Sequence, residues 1–274
     1  MKTIEKKIDR VNVRIEKFNG IDELLRFVEN TPADKGFDDI VNGERKIREE
    51  FHGAKTYKDA RGDLKKGVNI KEVIGAINTG ERNYDKKRNV RHISGGAACV
   101  PAAVSSDPRA MYQKRRDQIT GAYDIFINCT YHCGITSQQV KEAGLKILQE
   151  VMRVATIKPV NLYMGTTLID QEGRNVIGYG MQIIDAGKSF NAARVSYALT
   201  EAGFFRVFGF AYIVRNRGMW SSNNNFGLGR VLSLYNNNLN DKVMRAAYKN
   251  MIYVDMVDVI RHGSAALNEL EAIK

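Results

Sequence analysis

The run from Tyr123 to Met152 constrains this fold more than any other stretch. It reads YDIFIN, then CTYHCG, then ITSQQVKEAGLKILQEVM. An apolar run ends in a polar tip, and a helical pattern starts almost at once. That pattern predicts a β-strand feeding a helix through a short loop, the opening unit of many open α/β sheets. Ligands of such sheets sit outside the carboxyl ends of the strands. Asn128, Thr130 and His132 therefore fall where a chemical or metal site would be built.

Composition narrows the class. The chain has 274 residues, 43% of them hydrophobic, enough for a globular core. No uninterrupted apolar run approaches the roughly 18–20 residues that span a bilayer, so no membrane partner is implied. The opening MKTIEKKIDRVNVRIEK mixes both charge signs and lacks the apolar stretch of a secretory signal. Three cysteines, Cys99, Cys129 and Cys133, are an odd number and predict no disulfide framework. A cytosolic location is expected. Cys129 and Cys133 flank His132, but a zinc site needs a second ligand pair, and His52, His92 and His262 show no such spacing. Buried thiols at a strand end are the simpler reading.

The formal net charge is +11. Such a balance favours an anionic partner, whether nucleic acid, an acidic protein surface or a membrane face, although a solubilising surface explains it as well. The excess gathers in RNYDKKRNVR (82–91) and KRR (114–116).

Read along the chain, VNVRIEKF predicts a short strand, and IDELLRFVEN a helix with Ile21, Leu24, Leu25 and Val28 on one face, closed by Pro32. In TYKDARGDLKKG, Thr56 caps, Asp59 holds the capping-box position and Gly67 terminates. A further helix is expected at IKEVIGAIN. Residues 1–81 thus form a mostly helical N-terminal region, and 82–118 a basic connector containing Gly, Pro and a turn at Ser106-Asp107-Pro108. The α/β core spans 119–274. After YDIFIN and its helix come strands at KPVNLYMG and NVIGYGMQII, joined by the hairpin turn DQEG. NAARVSYALTEAGFF reads as a helix, FGFAYIVR as a strand, and 220–229 as a polar loop. DKVMRAAYKN reads as a helix capped by Asp241, MIYVDMVDVI as a strand, and GSAALNELEAI as a helix capped by Ser264. Alternating strands and helices predict a mixed but mainly parallel sheet flanked by helices.

Four segments together resemble a family of tailed-phage proteins: FHGAKTYKDARGDLKKG, GGAACVPAAVSSDPRAMY, YDIFINCTYHCGITSQQVKEAGLKILQ and NAARVSYALTEAGFFRVFGF. They cover about half of the chain. The resemblance implies a viral origin and a von Willebrand factor A-like core; it implies no activity. The metal site of such a core begins Asp-x-Ser-x-Ser at the end of the first strand. Here the matching run is Asn128-Cys129-Thr130-Tyr131-His132, so the leading carboxylate is missing. A hard ion such as magnesium prefers oxygen ligands with at least one carboxylate. A degenerate rim, or a weak magnesium site completed by Asp255, are the two readings.

Other candidates are weaker. Asp170 and Glu172 fit a polar turn as well as a carboxylate pair. Asp255 and Asp258 lie in an apolar run, where a buried acid needs a partner; Asp255 is the best single acid. Cys133 would need a base beside it. Gly227-Leu228-Gly229-Arg230 is too short for a phosphate-binding loop. The nucleic-acid candidates are Lys86, Lys87, Arg88 and Arg91, then Lys114, Arg115 and Arg116, with Tyr84 and Tyr112 beside them to stack on bases. A second group is Arg215, Arg217 and Trp220, near Asn223 to Asn225. The expected function is a phage-encoded, non-enzymatic binding protein that contacts nucleic acid, a nucleoprotein or a phage or host protein in the infected cytosol. No cofactor is implied unless magnesium binds. The alternative is a divalent-metal-dependent module, either a phosphoester hydrolase or an adaptor for an ATPase.

Overall fold

The fold was obtained as a computed structural model, which describes residues 1–33, 41, 49–68, 88–92, 97–115, 121–186, 190–216, 229–248 and 250–273. Ten strands lie among them: β1 (Lys2–Ile8), β2 (Val11–Phe18), β3 (Arg88–His92), β4 (Ala97–Ala98), β5 (Met111–Arg115), β6 (Tyr123–Asn128), β7 (Val160–Ile169), β8 (Asn175–Ile184), β9 (Arg230–Val231) and β10 (Ile252–Asp255). The main sheet runs β1-β2-β8-β7-β6-β10, with β9 pairing to β7 off that path. Its class is α/β, flanked by helices. It is evenly mixed rather than mainly parallel: β2–β8, β6–β7 and β6–β10 are parallel, and β1–β2, β7–β8 and β7–β9 antiparallel.

β6 is an interior strand, paired in parallel with β7 on one side and β10 on the other, but it lies one strand from the sheet edge and not at the centre its sequence suggests. Ile125, Phe126 and Ile127 are wholly buried, which a strand covered on both faces requires. Thr136 opens the next helix with a reciprocal capping box: its hydroxyl accepts from the Gln139 amide at 3.2 Å, and its own amide donates to Gln139 Oε1 at 2.9 Å. That helix, Ser137–Ile157, buries Val140, Ala143, Ile147, Leu148 and Val151 against the sheet. Gly165 on β7 pairs with Gly180 on β8, and the Phe126 ring lies over both. A methyl group on either glycine would come within 2.9 Å of that ring, so the absent side chains make room for the aromatic layer above.

Two helix layers cover the sheet. The larger core joins helices Ile21–Asn30, Ser137–Ile157 and Ala192–Thr200. The smaller packs Val11, Val13, Ile15 and Phe126 against helix Asn237–Ala247. β2, from the N-terminal region, pairs in parallel with β8 over Asn12–Phe18. The β1–β2 hairpin turns at Asp9 and Arg10, both with positive φ, the geometry whose twist matches the strands. Thr56 caps Tyr57–Lys66 and Gly67 ends it at φ 71°, as expected. The helix expected at IKEVIGAIN lies outside the described residues.

Other expectations are corrected. Part of the connector is a small antiparallel sheet of order β3-β5-β4. FGFAYIVR is helical: a π-helical segment Phe204–Gly209 runs into an α-helix at Phe210–Arg215. An aperiodic apolar run reads equally as buried strand or buried helix, and here helix is realised. MIYVDMVDVI is a strand only to Asp255; Met256–His262 is helix. The cap of the Asn237–Ala247 helix is Asn236 and not Asp241, and Gly263–Leu267 is a 3-10 turn without a side-chain cap from Ser264. Among the described residues, no helix is long and apolar enough to cross a membrane.

Candidate functional site

The carboxyl ends of β6 and β10 lie side by side, with Asn128 in register with Asp255. Asn128 Nδ2 donates to Asp255 Oδ2 at 2.8 Å, and Thr130 Oγ1 donates to Asn128 Oδ1 at 2.7 Å. The Thr130 amide reaches the same Asn128 oxygen at 3.2 Å, and the Thr167 amide donates to Thr130 Oγ1 at 3.0 Å. Asp255 Oδ1 accepts from the Val257 amide at 2.8 Å and so caps the helix that follows. Tyr253 donates its hydroxyl to Asp255 Oδ2 at 3.3 Å, and Asn240 Nδ2 donates to that hydroxyl at 3.1 Å.

All three members are buried: Asn128 and Thr130 completely, Asp255 to within 5%. Burial pushes the Asp255 carboxyl above the ordinary carboxylate range. The Ser233 hydroxyl, the Val257 amide and Asn128 pull it partly back, and Asp258 adds to the rise. Sequence reasoning placed Asn128, Thr130, His132 and Asp255 together. The fold brings Asn128, Thr130 and Asp255 together and leaves His132 outside, exposed, with its Nδ1 accepting from the Gly134 amide at 3.0 Å.

These residues do not suit a divalent ion. The Asn128 oxygen is taken by Thr130, and both Asp255 oxygens accept from neighbouring donors. Only one carboxylate is present where a hard cation needs oxygen donors free to turn towards it. Among the described residues, no group of three or more His, Cys, Asp or Glu is placed to hold a metal. The remaining acids are structural too. Asp170 accepts from the Arg174 amide at 2.8 Å and Asn175 Nδ2 at 2.6 Å within the hairpin turn, and Glu172 pairs with Arg174 at 3.4 Å. Asp107 accepts from the Arg109 amide at 2.8 Å, the turn its sequence predicts. Cys129 donates its thiol to the Gly165 carbonyl at 2.9 Å, and burial raises its pKa, so it is no nucleophile.

The basic candidates divide. Lys86, Lys87, Arg116, Arg217 and Trp220 lie outside the described residues, as do Tyr84 and Asn223 to Asn225. Arg88 and Arg91 fall on β3, and Lys114 and Arg115 on β5. The register sets Arg88 opposite Arg115, Asn89 opposite Lys114 and Arg91 opposite Tyr112. Arg215 is corrected: it is buried in the Phe210–Arg215 helix, where Nη1 donates to the Ala211 carbonyl at 3.0 Å.

Arg206 was missed. Its guanidinium is buried, donating to the Phe51 carbonyl at 2.7 Å and the Ile135 carbonyl at 2.5 Å, over the rings of Phe51 and Tyr131. A single cation inside the apolar run FFRVFG was the signal that could have found it.

Residues 2–273 match the family described as "Domain of unknown function (DUF7192)". The chain belongs to that family, which defines its class by descent and names no activity. No curated protein and no solved structure matches the chain.

Proposed function

We propose that this is a phage-encoded, non-enzymatic protein that binds nucleic acid in the cytosol of the infected cell, through the small β3-β5-β4 sheet carried on a von Willebrand A-like core. The observation that carries the reading is the β3–β5 register, in which Arg88 faces Arg115 and a Lys–Asn and an Arg–Tyr pair follow. Like charges directly opposite on a two-stranded ribbon repel, by up to about 1 kcal/mol. A polyanion laid along the ribbon turns that repulsion into attraction. Tyr112 adds an aromatic ring to the same strand, the residue type on which unpaired bases stack. The core assignment is supported by β6 and its helix, the β7–β8 hairpin that follows, and the position of Asn128 at the end of β6.

The test is fluorescence anisotropy with labelled single-stranded DNA, single-stranded RNA and duplex DNA across a salt series. Affinity should fall steeply as salt rises. Replacing Lys114, Arg115 and Arg116 by alanine should flatten the log–log slope by about 2–3, near 0.9 for each lost phosphate contact on duplex. The melting temperature should stay unchanged. Salt-independent retention, or an unaltered slope in the triple variant, refutes nucleic acid as the partner and leaves an acidic protein surface.

A further inference from the structure

At the carboxyl end of the sheet, β6 stops pairing with β7 at Gly165, and β7 runs on to Ile169. There β9 takes over as its partner, at Leu168 and Ile169. Beside this β7–β9 pairing and the loop after β6, a cavity of about 640 Å³ opens. Its walls are apolar: Tyr131, Leu168, Phe205, Phe210 and Val231. Leu234 and Tyr235 at its edge are two of the few large apolar side chains that the described residues expose. This size, and apolar walls with few polar groups, are those of a small-molecule site. Its place at a strand end of an α/β sheet is where such sites form.

The polar groups decide what would fit. Arg230 lines the cavity, its Nε donating to Gln171 Oε1 at 2.7 Å and its guanidinium lying 5.3 Å from the Tyr235 ring centre. Among the described residues, no carboxylate pairs with it. Behind the Tyr131 wall, the buried Arg206 is held by two carbonyls and two rings, again with no carboxylate partner among the described residues. Phe205 and Arg206 both come from the π-helical segment, a geometry frequent at functional sites. One guanidinium thus lines the apolar cavity and a second lies behind its Tyr131 wall, neither with a carboxylate partner among the described residues.

We propose that this cavity binds a small amphipathic anion, an aromatic body carrying one acidic group, with Arg230 taking the acid and Tyr131, Phe205 and Phe210 the rings. The site is separate from the small basic sheet and does not rest on the nucleic-acid reading. The probe is 8-anilinonaphthalene-1-sulfonate, compared with N-phenyl-1-naphthylamine, the same ring system without the sulfonate. Fluorescence titration of the full chain should give saturable, one-to-one binding of the sulfonate. Arg230→Gln should weaken the sulfonate about tenfold, the loss of about 1.4 kcal/mol, and leave the neutral amine within about twofold. Cys133 lines the same cavity and is exposed, whereas Cys99 and Cys129 are buried, so it reports location without any substitution. Bound sulfonate should slow its alkylation by iodoacetamide. Unsaturable binding, equal loss of both probes in the variant, or unprotected Cys133 would overturn the assignment.

Discussion

Two polar regions of this molecule are built on opposite logic. At the β6–β10 junction, Asn128, Thr130 and Asp255 complete one another, and neighbouring backbone amides take the remaining oxygens. In the small sheet, the register sets Arg88 opposite Arg115. The first region is closed: a buried polar network satisfied from within fixes how two strands and a helix meet. The second is open on the reading proposed above, in which like charges in register gain from an outside anion. A polar residue at the rim of a sheet is therefore no sign of chemistry until its partners are counted.

The strongest way to break this contrast is Asp255→Ala. It removes a helix cap and leaves the buried Asn128 amide without its acceptor, together a loss of about 2–4 kcal/mol in urea denaturation. Nucleic-acid affinity, measured where the variant remains folded, should stay within about twofold. Affinity that collapses while stability holds would make the junction, not the small sheet, the binding site. Thr130→Val tests the same closure more gently. It strips the hydroxyl that accepts from the Thr167 amide, at a cost of about 1–3 kcal/mol and again with no change in binding.

Arg88→Glu probes the open region. It replaces a like pair by an opposite one across the register from Arg115, so the free protein should gain about 1 kcal/mol in thermal denaturation. The same change should weaken nucleic-acid binding. A variant that loses stability and affinity together would mean that Arg88 serves the fold.

How much of this was legible in the sequence depends on how local each signal was. YDIFIN and its helix could be read because an apolar run, a polar tip and a helical pattern follow one another within a few residues. Asp255 was legible as an acid needing a partner, yet not as a cap, since MIYVDMVDVI carries no breaker where the strand becomes helix. FGFAYIVR misled because a run apolar on every side fits a buried strand as well as a buried helix. Arg206 and the cavity it backs were invisible, because their partners Phe51, Tyr131 and Ile135 come from distant segments. The Arg88–Arg115 register is likewise long-range: composition showed that the cations were there, and only the strand pairing sets the two positions opposite each other.

The smallest expected effect asks whether the junction is closed to cations. Burial raises the Asp255 carboxyl above its ordinary 3.8, so the folded state binds that proton more tightly than the unfolded chain does. Its ionised form therefore costs stability above the folded pKa, and the cost is relieved as pH falls through that value towards 3.8. The Asp255→Ala variant lacks this titration. The stability gap between the natural protein and the variant should widen on acidification within that window, in paired urea denaturations. Protonation at Oδ2 leaves Oδ1 accepting from the Val257 amide, so the helix cap survives the change. For the same reason, millimolar magnesium should leave the melting temperature unmoved, because an ion would have to displace donors that already fill each oxygen. A gap that narrows with acid would mean that the surrounding donors outweigh burial and hold the carboxylate charged. The junction would then be an anion waiting for a cation, and a magnesium-dependent rise in melting temperature would restore the metal reading in place of the closed one.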